Sequence, residues 1–205
     1  MSFNTRPIIL SGPSGGGKST ILKKAMENYP DRFAFSSVLD TTRAPRIGEQ
    51  NGIHYWFIDK ASFEKMIANE EFIEYAVFSG NFYGTSKKAI EAVQKTGRIC
   101  VLDVELNGVK NIRKFGLNAK YILIRAPDLQ IIEDRLRQRK TETEETLQKR
   151  LNQAKEDLDA VCAQPDLFDF IIVNDDLQRA YEEFVDIIKE ELEQFGPSQR
   201  QIKQI

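Results

Sequence analysis

Residues 12 to 19 read Gly12-Pro13-Ser14-Gly15-Gly16-Gly17-Lys18-Ser19 and fit the pattern G-x-x-x-x-G-K-[ST] position for position. Glycines at these places let successive backbone N–H groups turn inward around a phosphate, and a helix starting near Lys18 adds the positive end of its dipole. In such a loop the lysine reaches the β- and γ-phosphates of a nucleotide, and the serine hydroxyl is placed to ligate Mg²⁺. The alternative is a glycine-rich turn that binds nothing. It does not account for the order of the parts, in which an apolar strand, Ile8-Ile9-Leu10, precedes the loop and an amphipathic helix bearing Ile21, Leu22, Ala25 and Met26 follows it.

Other residues could serve an anion or a base. Arg43 and Arg46 lie on the polar stretch Asp40–Glu49, where Pro45 and Gly48 forbid a helix. An exposed, solvated surface is the competing reading for both. Glu74 interrupts the apolar run Phe72–Phe78, so it faces either water or a pocket whose ligand supplies donors. Asp103 closes the apolar run Ile99–Leu102, the arrangement of a carboxylate that helps to hold Mg²⁺ through water, or of a cap for the next helix. Asp103 and Glu105 share one side of an extended chain. Arg135 and Arg139 are one helical turn apart in a helix opened by Pro127, and Arg150 lies off the apolar stripe Leu147, Leu151, Ala154, Leu158 and Val161. A salt-bridged surface competes with a role for these arginines around a γ-phosphate.

The elements that must position these residues alternate between strand and helix. The patterns predict strands over Phe33–Leu39, Ile53–Ile58, Phe72–Phe78, Ile99–Leu102, Tyr121–Ile124 and Phe170–Val173, with a turn-rich loop over Ser79–Thr85. Helices are predicted from Lys18 to before Tyr29, over Lys60–Asn69, over Lys87–Thr96 ended by Gly97, from Pro127, from the Thr141–Glu145 segment, and as one long helix from Leu177 to Leu192. The tail after Gly196-Pro197 is polar and is expected to fray. With 205 residues, 41% hydrophobic and 29% charged, the chain has the composition of one soluble globular domain. A net charge of −2 provides no broad cationic field, which argues against nucleic-acid or membrane-surface partners. The two cysteines, Cys100 and Cys162, read as free thiols, no apolar run reaches 18 residues, and the first residues have no signal-peptide anatomy, so a cytoplasmic protein is expected.

Taken together, GPSGGGKS, TTRAPRIGEQNG followed by Tyr55, FIEYAVFSGNFYGT, VLDVELNGV, RLRQRKTETEETLQKRL and VNDDL resemble the guanylate kinases, the family that phosphorylates GMP from ATP. The likeness runs from Pro7 to about Phe195. It implies an α/β fold: a P-loop NTPase-type parallel sheet flanked by helices, with an inserted GMP-binding subdomain at about 36–88 and a helical lid at about 139–160, the core being 1–35, 89–138 and 161–205. By matched position, Lys18, Arg43, Arg139 and Arg150 would be catalytic. Gly12, Pro13, Ser14, Gly15, Gly16, Gly17, Lys18, Ser19, Thr20, Arg135 and Asn174 would bind ATP. Arg43, Arg46, Glu49, Tyr55, Glu74, Tyr83, Thr85, Asp103 and Glu105 would bind GMP, with Arg43, Arg46, Tyr55 and Tyr83 on its phosphate and Glu74 and Glu105 accepting from guanine. Mg²⁺ would be held by Ser19 and, through water, by Asp103. The implied partners are the substrates ATP and GMP, with dGMP as a further acceptor, for a monomeric enzyme.

The sequence departs from the family pattern at several places. Position 39 usually carries a serine that helps to bind guanine and here is Leu39, and position 40, usually serine or histidine, is Asp40. One extra residue stands between Phe33 and Arg43, which leaves the registration of Ser36 and Ser37 open. Glu105 and Thr85 replace the usual aspartate and serine with the same chemistry. Two other readings are a kinase for a different phosphorylated acceptor and a non-catalytic interaction module of this fold. Modules of that kind typically lose the loop cations, whereas Lys18, Ser19, Arg43, Arg139 and Arg150 are all in place here.

Overall fold

In the computed structural model, five short runs of alternating apolar residues form one parallel sheet. The residues described are 5–35, 39–52, 55–78, 80–138 and 143–194. β1 (Ile8–Ser11), β2 (Phe33–Phe35), β7 (Ile99–Asp103), β8 (Lys120–Arg125) and β9 (Phe170–Val173) lie in the order β2-β7-β1-β8-β9. Successive side chains point to opposite faces, so Ile8, Leu10, Val101, Ile122 and Ile124 bury against α1 (Lys18–Asn28) and α7 (Leu177–Ile187) through Ile21, Ala25 and Phe184. Ile9, Cys100, Leu102, Tyr121 and Leu123 face the other way. They pack on Ile90 and Val93 of α3 (Lys87–Lys95) and on Val109 and Ile112 of α4 (Leu106–Phe115). The strand order reverses at β1, with β7 on one side and β8 on the other. The glycine loop therefore leaves β1 at the crevice where open parallel sheets bind ligands.

A second sheet is set between α1 and α3 in the chain. Its order is β4-β3-β6-β5, made by β3 (Leu39–Thr41), β4 (Tyr55–Phe57), β5 (Phe72–Phe78) and β6 (Asn81–Ser86), with α2 (Lys60–Ala68) across one face. The predicted loop at 79–85 is thus corrected: most of it is β6, paired antiparallel with both β3 and β5. The Asn, Gly and Ser residues masked the strand, but Gly80 at φ +77° makes the tight turn, and Gly84 is required because a Cβ there would meet the Phe72 ring at 2.7 Å and Phe63 at 2.9 Å. The single strand predicted over Phe33–Leu39 is also divided. β2 joins the parallel sheet and β3 the second sheet, with Ser36, Ser37 and Val38 outside the described residues. Ile53 and His54 of the next predicted strand lie outside them too.

α5 (Leu129–Gln138) and α6 (Glu144–Ala163) pack on each other through Ile132, Leu136, Leu147 and Ala154. α6 starts at a reciprocal cap: Thr143 Oγ1 accepts from Thr146 N, and Thr146 Oγ1 accepts from Thr143 N. The long helix predicted to reach Leu192 breaks at Ile188 and resumes as α8 (Lys189–Glu193). Buried Lys120 explains the break, because its Nζ takes the Ile187 carbonyl at 2.6 Å and draws Glu191 inward, also at 2.6 Å. Both cysteines are free, Cys100 buried and Cys162 exposed. No helix among the described residues is long and apolar enough to cross a membrane. The tail after Gly196-Pro197 lies outside the described residues.

Candidate active site

Backbone freedom shapes the loop between β1 and α1. At Gly12, φ is +141° and a Cβ would stand 2.0 Å from the Ile124 carbonyl oxygen; at Gly17, φ is +101° and a Cβ would stand 1.9 Å from Asn174 Nδ2. Asn174 is buried at the end of β9, and its Nδ2 donates to Gly16 O at 2.9 Å. Arg135, from α5, donates to Gly15 O at 3.3 Å and to Asn174 O at 2.9 Å. Two side chains from distant strand and helix ends thus take the Gly15 and Gly16 carbonyls, and within the loop Gly16 N donates to Pro13 O at 3.1 Å. Gly15, Gly17, Thr20, Arg135 and Asn174 line a hollow of about 340 Å³ on this side.

On the other side of the loop is a cleft of about 570 Å³, whose walls include Gly12, Pro13, Ser14, Lys18, Asp103 and Glu105. Lys18 Nζ donates to Gly12 O at 2.5 Å and lies 3.9 Å from Asp103 Oδ1. Burial raises the Asp103 carboxyl above its ordinary range, and the Lys18 ammonium opposes that rise. Asp103 is not the cap of α4, which settles one of its two readings: the cap is Glu105, whose side chain makes no capping bond. Arg150, from α6, reaches over the loop and donates to Ser14 Oγ at 3.3 Å. Ser19 and Thr20 are exposed in the first turn of α1. Arg139 lies outside the described residues.

The second sheet presents its remaining candidates on the face away from α2. Arg43 follows β3 and forks onto Glu49, Nη2 to Oε1 at 2.9 Å and Nη1 to Oε2 at 3.0 Å. Arg46 contributes its backbone N–H to Glu49 Oε2 at 2.6 Å, while its side chain is exposed. The Arg43 guanidinium stands 5.2 Å from the Tyr55 ring centre and 5.7 Å from that of Phe57, and Tyr55 meets Tyr83 edge-on. These contacts bring Arg43, Glu49, Tyr55 and Tyr83 into one cluster.

Glu74 is delivered by an irregularity. The β5–β6 register shifts between Phe72 and Glu74, so that Ile73 turns into the main core while Glu74 pairs with Thr85. Thr85 Oγ1 donates to Glu74 Oε1 at 3.2 Å. Desolvation raises the Glu74 carboxyl, Thr85 lowers it, and the negative charge of Glu105 raises it again. Gly108 of α4 lies against this carboxylate: a Cβ there would stand 3.5 Å from Glu74 Oε2, at ordinary contact distance. The charge of Glu105, the N-cap residue of α4, thus acts on Glu74 of the second sheet, and Glu105 also lines the Lys18 cleft.

Leu39 and Asp40 part company. On β3 successive side chains alternate, and Asp40 shares the α2 face with Ser86, whereas Leu39 is on the face of Thr85. Asp40 is buried and desolvation raises its carboxyl, but it is not on the Glu74 face. Sequence reasoning missed Lys110, which enters the Lys18 cleft from α4. Its signal was positional: it falls outside the buried stripe of Gly108, Val109 and Ile112.

A family model described as guanylate kinase matches residues 4–191. Over 187 residues the chain is 52% identical to a guanylate kinase of Sus scrofa, covering 91% of this chain and 93% of that one. Against a guanylate kinase of Homo sapiens the identity is 51%, over 91% and 94% of the two chains. Among solved structures, a guanylate kinase from Anaplasma phagocytophilum superposes with a TM-score of 0.58 at 28% identity, covering 91% of this chain and 85% of that one.

Proposed function

The chain belongs to the guanylate kinase family, and from that premise we propose how its residues divide the transfer of the γ-phosphoryl group of ATP to GMP. The observation that carries the division is the continuity from Lys18 to Glu74: Asp103 and Glu105 line one cleft with Lys18, and Glu105 caps α4, the helix whose Gly108 lies against the Glu74 carboxylate. A phosphate reader and a base reader are thereby joined within one short segment.

ATP lies with its phosphates in the 12–20 loop and its nucleoside toward Arg135 and Asn174. Arg43, Arg46, Tyr55 and Tyr83 hold the GMP phosphate, and Glu49 orients Arg43. Glu74 and Glu105 accept from guanine N1–H and the 2-amino group. Adenine would leave these carboxylates buried and unpaired, a mismatch worth up to about 10⁴-fold. The acceptor needs no base, because a phosphate monoester with a second pKa of about 6 is already largely anionic at neutral pH. The chain's work is therefore alignment and charge compensation by Lys18, Arg43, Arg139 and Arg150. The segment at about 36–88 acts as the GMP-binding subdomain and the segment at about 139–160 as a lid, closing on the core to exclude water that would hydrolyse ATP.

Ser19 and Asp103 suit Mg²⁺, a hard cation usually bound by one or two protein oxygens plus substrate phosphates and water. No cluster of three or more acidic, histidine or cysteine ligands occurs among the described residues, so the donor set fits a shared ion better than a closed cage. When bound, the ion would supply charge compensation for the ATP phosphates, with Ser19 and, through water, Asp103 holding it.

The test is ADP formation from MgATP with GMP, dGMP, AMP, UMP and CMP in parallel. Turnover restricted to the guanine nucleotides is expected. Equal turnover of AMP, or none with any acceptor, overturns the assignment.

A further inference from the structure

The side of α6 that carries Arg150 to the glycine loop also carries an acid. Asp157 follows Arg150 by two helical turns, so the two share one side of the helix and stand about 10 Å apart along its axis. Between them, Gln153 Nε2 donates to Asp157 Oδ1 at 3.0 Å and orients the carboxylate. One turn further on, Val161 is buried in the same cluster as Val109 and Ile112 of α4, which anchors this end of α6 to the core. Nearer its start, α6 packs on α5 through Leu147 and Ala154.

Lys110 of α4 lines the same cleft of about 570 Å³ as Lys18, Gln153 and Asp157, and both Lys110 and Asp157 are half-buried. Its own helix offers Lys110 no acid, since Leu106, Asn107, Arg113 and Lys114 occupy the positions three and four residues away. Asp157 is equally short of cations on α6, where Gln153, Ala154, Ala160 and Val161 hold those positions. Lys110 makes no hydrogen bond or ion pair among the described residues. An ammonium and a carboxylate thus enter one cleft from two helices, and neither has a counter-charge on its own helix.

We propose that Lys110 and Asp157 pair when α6 closes on the core, and that this bond sets the aim of Arg150 at the transferring phosphoryl group. Both are positioning residues, acting through α6 on a cation that they do not touch. The inference rests on the reading of residues 139–160 as a lid. Along the helix Asp157 lies about 6 Å from the Val161 anchor and Arg150 about 16 Å, so a bond near the pivot fixes where the more distant guanidinium comes to rest. In the closed cleft the pair loses water, which strengthens its attraction beyond that of an exposed surface pair. A direct contact of Lys110 with a substrate phosphate is the competing role, and in that role Asp157 has no part.

The experiment measures phosphoryl transfer from MgATP to GMP in a single turnover, a rate that lid reopening does not limit, together with KM for each nucleotide. The proteins are the wild type, Lys110→Gln, Asp157→Asn and the double variant, with Tm as the check that each is folded. Each single change is expected to slow transfer about tenfold while both KM values stay within about twofold, because the aim of a catalytic cation is lost and substrate contacts are kept. The double variant should be within about twofold of either single one, since the second change has no bond left to break. Losses that multiply, to about 100-fold in the double variant, overturn the inference. So does an unchanged transfer rate in Lys110→Gln, or a rise in KM for a nucleotide in Lys110→Gln that Asp157→Asn does not share, which would put Lys110 on the substrate. Arg150→Met tests the premise: if transfer in that variant is as fast as in the wild type, the lid reading itself fails, and that result is distinguishable from the others.

Discussion

Arg43 and Glu49 hold each other in a two-bond fork, 2.9 Å and 3.0 Å, over the Tyr55 and Phe57 rings. The guanidinium is therefore placed before any anion arrives, with its flexible stem already ordered by a carboxylate six residues away. Thr41 adds to this placement: its hydroxyl donates to Phe82 O at 2.9 Å and accepts from Arg43 N at 3.2 Å.

Replacing Glu49 by Gln keeps the shape and removes the charge that orients Arg43. Solvent weakens a charge-assisted pair of this kind as a source of stability, so its loss is read in the aim of the guanidinium. KM for GMP is expected to rise about tenfold, with KM for ATP unchanged within about twofold. Steady-state kinetics with each substrate varied in turn will show the split, and equal rises would place Glu49 outside the GMP site.

The same fork should be visible as a titration. The Arg43 side chain, and next the Arg46 backbone N–H, hold the Glu49 carboxyl down from 4.5 to about 2. Because the folded pKa is the lower one, the stabilisation is present above 4.5 and is lost as pH falls toward 2. Carboxyl ¹³C NMR is expected to give a midpoint near 2 in the wild type, moving back toward 4.5 in Arg43→Met. A wild-type midpoint near 4.5 would mean that the fork is absent in solution.

Much of this layout could be read from residue order, for local reasons. The glycine loop, its strand and its helix are contiguous, so spacing alone declares them, and Ile9 against Ile8 and Leu10 already alternates between the two faces that the sheet buries. What could not be read was set by partners far along the chain. β6 looked like a loop because the need for Gly84 lies in the Phe63 and Phe72 rings, and α7 ends early because Lys120 captures its carbonyl. The opposite fates of Leu39 and Asp40 depend on strand phase, which a one-residue insertion before Arg43 conceals.

Gly17 tests how tightly the loop is built. An alanine there would force its Cβ against Asn174 Nδ2 and keep a backbone φ of +101° that side chains rarely adopt. Overpacking and strain together predict a loss of about 1–3 kcal/mol in urea unfolding and at least about a tenfold weakening of ATP binding. Adding Asn174→Ala removes the clash but not the strain, and it orphans the Gly16 carbonyl, so the double variant should recover neither property. Full recovery would show that contact, not backbone conformation, makes glycine necessary.

The opposite end of the sheet carries a charge cluster that the reaction does not use. Glu191 is fully buried between Lys120, 2.6 Å away, and Arg6, 3.1 Å away. Lys120 opens β8, whereas the glycine loop leaves the far end of the neighbouring β1, so the cluster and the cleft are separated by the length of the strands. Glu191→Ala strands a buried ammonium and should cost about 3–5 kcal/mol, lowering Tm while leaving KM for both nucleotides unchanged. The paired change Lys120→Met with Glu191→Leu removes both charges at once, and burial of their hydrocarbon replacements should bring stability back to within about 1 kcal/mol of the wild type. If the pair is as unstable as Glu191→Ala, the remaining partner Arg6 rather than Lys120 is the cation that Glu191 must neutralise, and Arg6→Met on the Glu191→Leu background becomes the stable combination.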